Sequence, residues 1–252
     1  MVNNEKILYD DGIHKCIMFG FDDETHEDSF LSVNQYLIIQ NEHAILIDPG
    51  SVGIFDDLYE AISNHIAIEN IKFIFFSHQD PDVSGSIAHW SVSTNAKFII
   101  SSIWIRFMSH YGFADTTRIM ALEDHGAKLK FGNDYLRFLP AHFLHSPGNF
   151  SVYDSRSKIV FSGDIGAAIV PSPESYKHVE NFDQHVVFLE AFHKRYMSSN
   201  KLCRAWSAQI AKLDVDIIAP QHGLIFEKED VKLFLDWIKE FQCGSDYMEE
   251  LY

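Results

Sequence analysis

One imidazole and two carboxylates alternate through Ser77-His78-Gln79-Asp80-Pro81-Asp82-Val83-Ser84-Gly85. All three are ligand types for a hard or borderline cation. In extended backbone, residues two apart face the same way. The spacing therefore predicts that His78, Asp80 and Asp82 converge on one point. Pro81 stiffens the loop, and Ser84 and Gly85 permit a turn into the next element. Three other stretches put a ligand-type residue in a turn: Leu144-His145-Ser146-Pro147-Gly148, Phe161-Ser162-Gly163-Asp164 and Pro220-Gln221-His222-Gly223. Each has an ordinary structural use on its own. A turn Asp caps or forms an Asx-turn, and a single His hydrogen-bonds locally. Functional side chains nevertheless favour loops carried on rigid strands.

The elements that must carry these loops are legible as periodicity. Ile71–Phe76 is a continuous apolar run, as in a buried strand, and Lys158–Ser162 and Val215–Ala219 read the same way. Lys6–Tyr9 and His14–Phe19 read as a hairpin across Asp11-Gly12, and Ser32–Ile39 with Ala44–Ile47 as a second. Asp22–Asp28 reads as an acidic loop. Helical spacing is expected over Val52–His65, Ser86–Ser93, Trp104–His110, Phe182–Phe192, Ser198–Lys212 and Glu227–Phe241. Lys97–Ile100, Leu136–Pro140 and Ser151–Asp154 are strand-like, Glu123–Tyr135 has no clear register, and the residues after Cys243 read as a loose tail. Strands early, then strand and helix alternating in two halves, imply an α/β layer arrangement of two sheets with helices outside.

Composition narrows the function classes. A chain of 252 residues with 46% hydrophobic content can bury a sizeable core, and no linker or repeat divides it. One domain over residues 1–252 is expected. The net charge of −16 argues against nucleic acid and anionic membrane surfaces. No apolar run reaches the length of a membrane span, and the N-terminus has no signal-peptide pattern. The three cysteines, Cys16, Cys203 and Cys243, show no CxxC spacing, which suits a reducing, cytoplasmic setting.

Taken in order, His78-x-Asp80-x-Asp82, His145, Asp164 and His222 resemble the ligand pattern of the metallo-β-lactamase fold. The gaps are 66, 18 and 57 residues from His78 to His145, Asp164 and His222 in turn. Leu46-Ile47-Asp48-Pro49-Gly50 is similar to the strand and turn before the first helix of that fold. The resemblance covers nearly the whole chain and implies an αββα sandwich. His142 lies three residues before His145, but the family pattern selects the histidine followed by Ser146-Pro147-Gly148.

The departures are informative. Zinc hydrolases of this fold show His-x-His-x-Asp-His, whereas here Asp80 stands for the second His and Val83 for the last. A carboxylate in the second place resembles the flavodiiron branch, where Glu is usual. Three His and three carboxylates without Cys form a hard, oxygen-rich set. By resemblance, His78, Asp80 and His145 hold one iron, Asp82 and His222 the other, and Asp164 bridges both. Val83 leaves a position of the second iron open unless His89 fills it. Asp48 and Tyr196 are expected to support the site without binding metal, Asp48 by orienting the central loop and Tyr196 by approaching the pocket.

Flavodiiron enzymes carry a flavodoxin domain and reduce O2 or NO, and no phosphate loop follows His222, so no flavin is expected in this chain. Two Fe(II) supply two electrons, enough for a diferric-peroxo state but not for water. The implied function is O2 binding, as in related stand-alone oxygen sensors of bacterial chemotaxis. An O2 or NO reductase fed by a separate flavodoxin or rubredoxin is the alternative, and a dizinc hydrolase is a second. A signalling protein or redox donor is the implied partner, and homodimers are common among such iron domains.

Overall fold

The computed structural model describes residues 4–22, 32–170 and 178–251. The acidic stretch after Asp22 therefore lies largely outside the described residues. Two hairpins open the chain: β1 (Asn4–Asp10) with β2 (His14–Asp22), and β3 (Ser32–Gln40) with β4 (His43–Ile47). A 3-10 turn leads into α1 (Phe55–Ser63), whose apolar face is Phe55, Leu58, Ala61 and Ile62. β5 (Ile71–Phe75), α2 (Pro81–Ser84), α3 (Ile87–Ser93), β6 (Lys97–Ser101) and β7 (Ile119–Leu122) follow. Among the described residues these strands form one sheet in the order β1-β2-β3-β4-β5-β6-β7, antiparallel up to β4 and parallel beyond it.

The second half builds β8 (Ala127–Phe131), β9 (Asp134–Pro140), β10 (Phe150–Asp154) and β11 (Ile159–Gly163). α4 (Phe182–Tyr196), α5 (Asn200–Ile210), β12 (Ile217–Pro220), β13 (Phe226–Glu227), α6 (Glu229–Glu240) and α7 (Met248–Leu251) complete it. Its sheet runs β13-β12-β11-β10-β9-β8, with β11 and β12 parallel.

Strand alternation explains the layers. In β2, Cys16 and Met18 face the other sheet, joining Tyr36, Phe75, Phe138 and Phe161 in the central core. Ile17 and Phe19 face outward instead, against Leu58, Ile62, Ile87 and Trp90 of the first helical layer. On the far side, Val160 and Ile218 pack on Leu189, Trp206, Phe234 and Ile238 of the second helical layer. The result is helices, sheet, sheet, helices.

Three expectations need correction. The central loop is not extended throughout: Pro81 starts α2 with Asp80 at its N-cap, so Asp80 stays beside His78 while Asp82 turns toward His222 instead of joining them. Pro at the first helical position is pre-set for that turn. The tail after Cys243 is not loose. Gly244 N donates to Lys194 O at 2.9 Å, and Asp246 Oδ2 accepts from Asn200 N at 2.7 Å. The Trp104–His110 helix is 3-10, over Ser102–Tyr111.

Candidate metal centre

Parallel strands place their C-terminal ends together, and the four loops of interest leave from β5, β9, β11 and β12. β5 delivers His78. Asp48 Oδ1, after β4, accepts the Ser77 N–H at 2.7 Å, and Ser77 O accepts Phe150 N at 3.0 Å, so the residue before His78 is pinned on both sides. Ser77 Oγ lies 2.9 Å from His78 Nδ1, which leaves Nε2 to face the cleft. Asp48 is buried, and desolvation raises its carboxyl to about 6. Gln79, between two candidate ligands, donates to Asp80 Oδ1 at 2.7 Å and accepts from Ser146 Oγ at 2.5 Å. One amide thus ties the Asp80 carboxylate to the His145 loop.

The strand β11 ends at Gly163, with φ at 61°. A Cβ there would stand a tight 3.1 Å from the Ser77 side chain on a left-handed backbone, so glycine lets the two sheets bring His78 and Asp164 together without strain. Asp164 follows at once. Its Oδ2 lies 2.9 Å from His145 Nε2 and 3.7 Å from His78 Nε2. Its Oδ1 lies 3.9 Å from His222 Nε2. Asp80 Oδ2 is 3.5 Å from His145 Nε2. Asp82 Oδ2 is 3.1 Å from His222 Nε2. The six side chains therefore form two half-sites, His78-Asp80-His145 and Asp82-His222, with Asp164 facing both. The donor atoms of His78, Asp80 and His145 lie within 4.8 Å of one another.

His78 Nε2, His145 Nε2 and Asp164 Oδ1 are buried without a hydrogen-bond partner. The 2.9 Å approach of His145 to Asp164 is close enough for a bond but misaligned, as when two donors point at a shared third atom. Buried polar atoms rarely go unsatisfied, and cations would satisfy these. Burial opposes ionisation of Asp164, but the charges of His78, His145 and His222 outweigh it and hold its carboxyl far below the usual range. Burial likewise disfavours a charged His145, yet Asp164 beside it raises that imidazole. Asp80 and Asp82 are each about a third exposed (34% and 36%), against 4% for Asp164, so two carboxylates line the mouth and the third lies on the floor.

Val83 is fully buried in the helix-side core and supplies no donor. His89 is exposed on α3, its ring 5.0 Å from Phe55, and makes no contact with the cluster. The Tyr196 ring lies 5.8 Å from that of His145, edge to face, and stacks at 4.7 Å on Phe192, which also packs on His145. His142 turns away, with Nε2 2.8 Å from Asp124 O. Sequence alone does not mark Gln79, Ser77, Ser146 or Phe192 as part of the site. Position next to a ligand was the only signal for the first three, and Phe192 carried none beyond helical spacing.

A second cluster, His14-Cys16-Asp154, lies between the sheets at the opposite strand ends and is fully buried. His14 Nε2 is 2.6 Å from Asp154 Oδ2, and its Nδ1 meets Gln40 Oε1. Both ring nitrogens face oxygen acceptors, and Asp154 raises the imidazole, an arrangement that favours an imidazolium paired with the Asp154 carboxylate.

Comparison with known proteins gives a consistent set. The model of the ODP family beta lactamase matches residues 31–223. The apo chemotaxis sensor ODP from T. denticola superposes with a TM-score of 0.89 at 42% identity, covering 99% of each chain. A structure of the peroxy diiron species of chemotaxis sensor ODP gives 0.87 at 41%, covering 99% of this chain and all of that one (100%). Flavo-diiron protein FprA2 of Clostridium acetobutylicum is 25% identical over 88% of this chain and 57% of its own length. The chain spans about half the length of such curated relatives. The architecture is the metallo-β-lactamase-like sandwich of diiron proteins.

Proposed function

The chain belongs to the ODP family of β-lactamase-like proteins, and from that premise we propose that it is a diiron protein that binds O2 and serves as an oxygen sensor in bacterial chemotactic signalling. The observation that carries the reading is Asp164. One of its oxygens faces His78 and His145 and the other faces His222, the arrangement a carboxylate needs to bridge two cations.

The residues fit iron. Three imidazoles and three carboxylates, with no thiolate among them, form a set for a hard or borderline metal. His78, Asp80 and His145 would hold one iron, Asp82 and His222 the second, and Asp164, facing both groups, would serve both. Bound ferrous iron supplies the electrons for O2 binding. The protein supplies the rest. Ser77 and Asp48 orient His78, and Gln79 fixes Asp80. Val83 offers no donor, so of the side chains here the second iron would be held by Asp82, His222 and Asp164 alone. Phe192 and Tyr196 pack edge to face on the His145 ring and hold its orientation. Residues 1–252 act as one domain with one centre. A cytoplasmic setting suits ferrous iron and three free thiols. A signalling protein that reads the state of the site is the partner.

The reading is tested by loading ferrous iron without oxygen and recording the visible spectrum on adding O2. A new band that persists is expected, because no further electron donor is at hand to consume the bound oxygen. Absence of any new absorption contradicts O2 binding. A band that vanishes with rapid, repeated turnover on supply of a reduced flavodoxin or rubredoxin assigns the chain to the reductases instead.

A further inference from the structure

α4 carries a histidine that the ligand set does not use. His193 is completely buried (0% exposed). Its ring packs between Phe192 and Trp237, with centroids 5.6 and 5.3 Å away. In such an apolar box an imidazole is worse than a phenyl ring unless both nitrogens are satisfied. Both are. Nδ1 lies 2.8 Å from the Leu189 carbonyl, one turn earlier, and must donate to it. Nε2, left without a proton, accepts the Gly166 N–H at 3.1 Å. A carbonyl only accepts and an amide only donates, so the two contacts select a neutral ring in one tautomer. Burial acts in the same sense and lowers the imidazole to about 4.

Gly166 belongs to the turn that begins at Asp164. Two bonds hold that turn internally: Ala167 N to Asp164 O at 3.0 Å, and Ser162 Oγ to Ile165 O at 2.6 Å. The bond to His193 fastens it to a different element. The neighbours of His193 on α4 reach the other side of the centre, where Phe192 and Tyr196 pack on the His145 ring. One helix therefore grips both the turn of the bridging carboxylate and the imidazole that lies 2.9 Å from it.

We propose that His193 is a positioning residue of the diiron centre: its unprotonated Nε2 holds the Asp164 turn against α4, so that Asp164 and His145 keep a common register for the two irons. The proposal rests on the diiron reading. A histidine that only filled the core would affect stability and leave the metal geometry unchanged. Ring packing explains the box, but it does not explain why a nitrogen points at the one loop that carries the bridge.

The test compares the wild type with His193→Phe and His193→Gln. Phenylalanine keeps the ring packing and removes the acceptor, whereas glutamine offers Oε1 near the place of Nε2. Each protein is titrated without oxygen with Co(II), whose visible bands report coordination geometry, and its affinity for Fe(II) is measured by competition. Supporting groups of this kind change metal affinity roughly 10- to 100-fold. His193→Phe is expected to lose affinity on that scale and to shift the Co(II) bands at matched occupancy, with His193→Gln restoring most of both. Amide exchange at Gly166 in the metal-free protein is expected to speed up in His193→Phe and not in His193→Gln. Wild-type affinity and wild-type bands in His193→Phe overturn the proposal, whatever its melting temperature. If His193→Phe does not fold, His193→Asn, whose side chain is too short for Gly166, takes its place, and equal metal affinity with His193→Gln overturns the proposal. A wild type that binds neither Co(II) nor Fe(II) overturns the diiron reading itself, and this proposal with it.

Discussion

The two oxygens of Asp164 face different imidazoles, so removing its charge and removing that of Asp82 have unequal consequences. Asp82→Asn strips one half-site and leaves His78, Asp80, His145 and Asp164 intact. Iron measured after anaerobic loading and desalting is expected to fall from about two per chain to about one, as a site short of one ligand is outcompeted by water. Asp164→Asn weakens both half-sites, and iron is expected to fall toward zero. Equal losses in the two variants contradict a bridging role. The ligand candidates were legible because their chemistry is local: a His or Asp directly after an apolar strand is visible in the string. The groups that orient them were not. Ser146 reaches Gln79 across 67 residues of chain, and the Tyr111 hydroxyl bonds the Gln79 carbonyl across 32. No spacing rule encodes such contacts, because they exist only once segments distant in the chain have packed together.

Between elements, the counterpart of the metal cluster is the His14-Asp154 pair, which joins β2 to β10 at the other end of the sandwich. Burial disfavours the charged ring of His14, but Asp154 outweighs it and raises the imidazole above its ordinary value. Burial likewise disfavours the Asp154 carboxylate, and His14 outweighs it and lowers the carboxyl. The signs then follow from linkage. The raised His14 stabilises the fold fully below the ordinary imidazole value of about 6.5, and this is lost as pH rises through the folded value. The lowered Asp154 stabilises it above the ordinary carboxylate value of about 3.9, and this is lost as pH falls through the folded value. His14→Asn is therefore expected to cost most between roughly pH 4 and 6.5, on the order of 3–5 kcal/mol by denaturant unfolding. A loss that does not vary with pH would mean that the pair is not ionised. Sequence periodicity located most elements within a few residues, since strand alternation and helical spacing are properties of the chain itself. It failed at α2, where Pro81 and the N-cap of Asp80 override the extended reading. It also missed β7, an edge strand whose burial is too mixed to leave a pattern.

For the whole molecule, two helix-covered sheets bring strand ends separated by up to 144 residues, from His78 to His222, into one cleft. No helix among the described residues is long and apolar enough to cross a membrane. The sandwich was legible because six ligand-type residues fell in a family order. Tyr196 was expected near the pocket, but which face α4 would lay over the centre was not legible, because Phe192 and His193 read as ordinary core positions until the helix is docked. The central claim is that one carboxylate couples two irons. It is tested most directly by the low-temperature Mössbauer spectrum of protein loaded with isotopically enriched iron and then oxidised in air. Two ferric ions bridged through Asp164 are expected to couple antiferromagnetically and give quadrupole doublets without magnetic splitting. A magnetically split spectrum of isolated ferric ions, at full loading, would contradict the bridged centre.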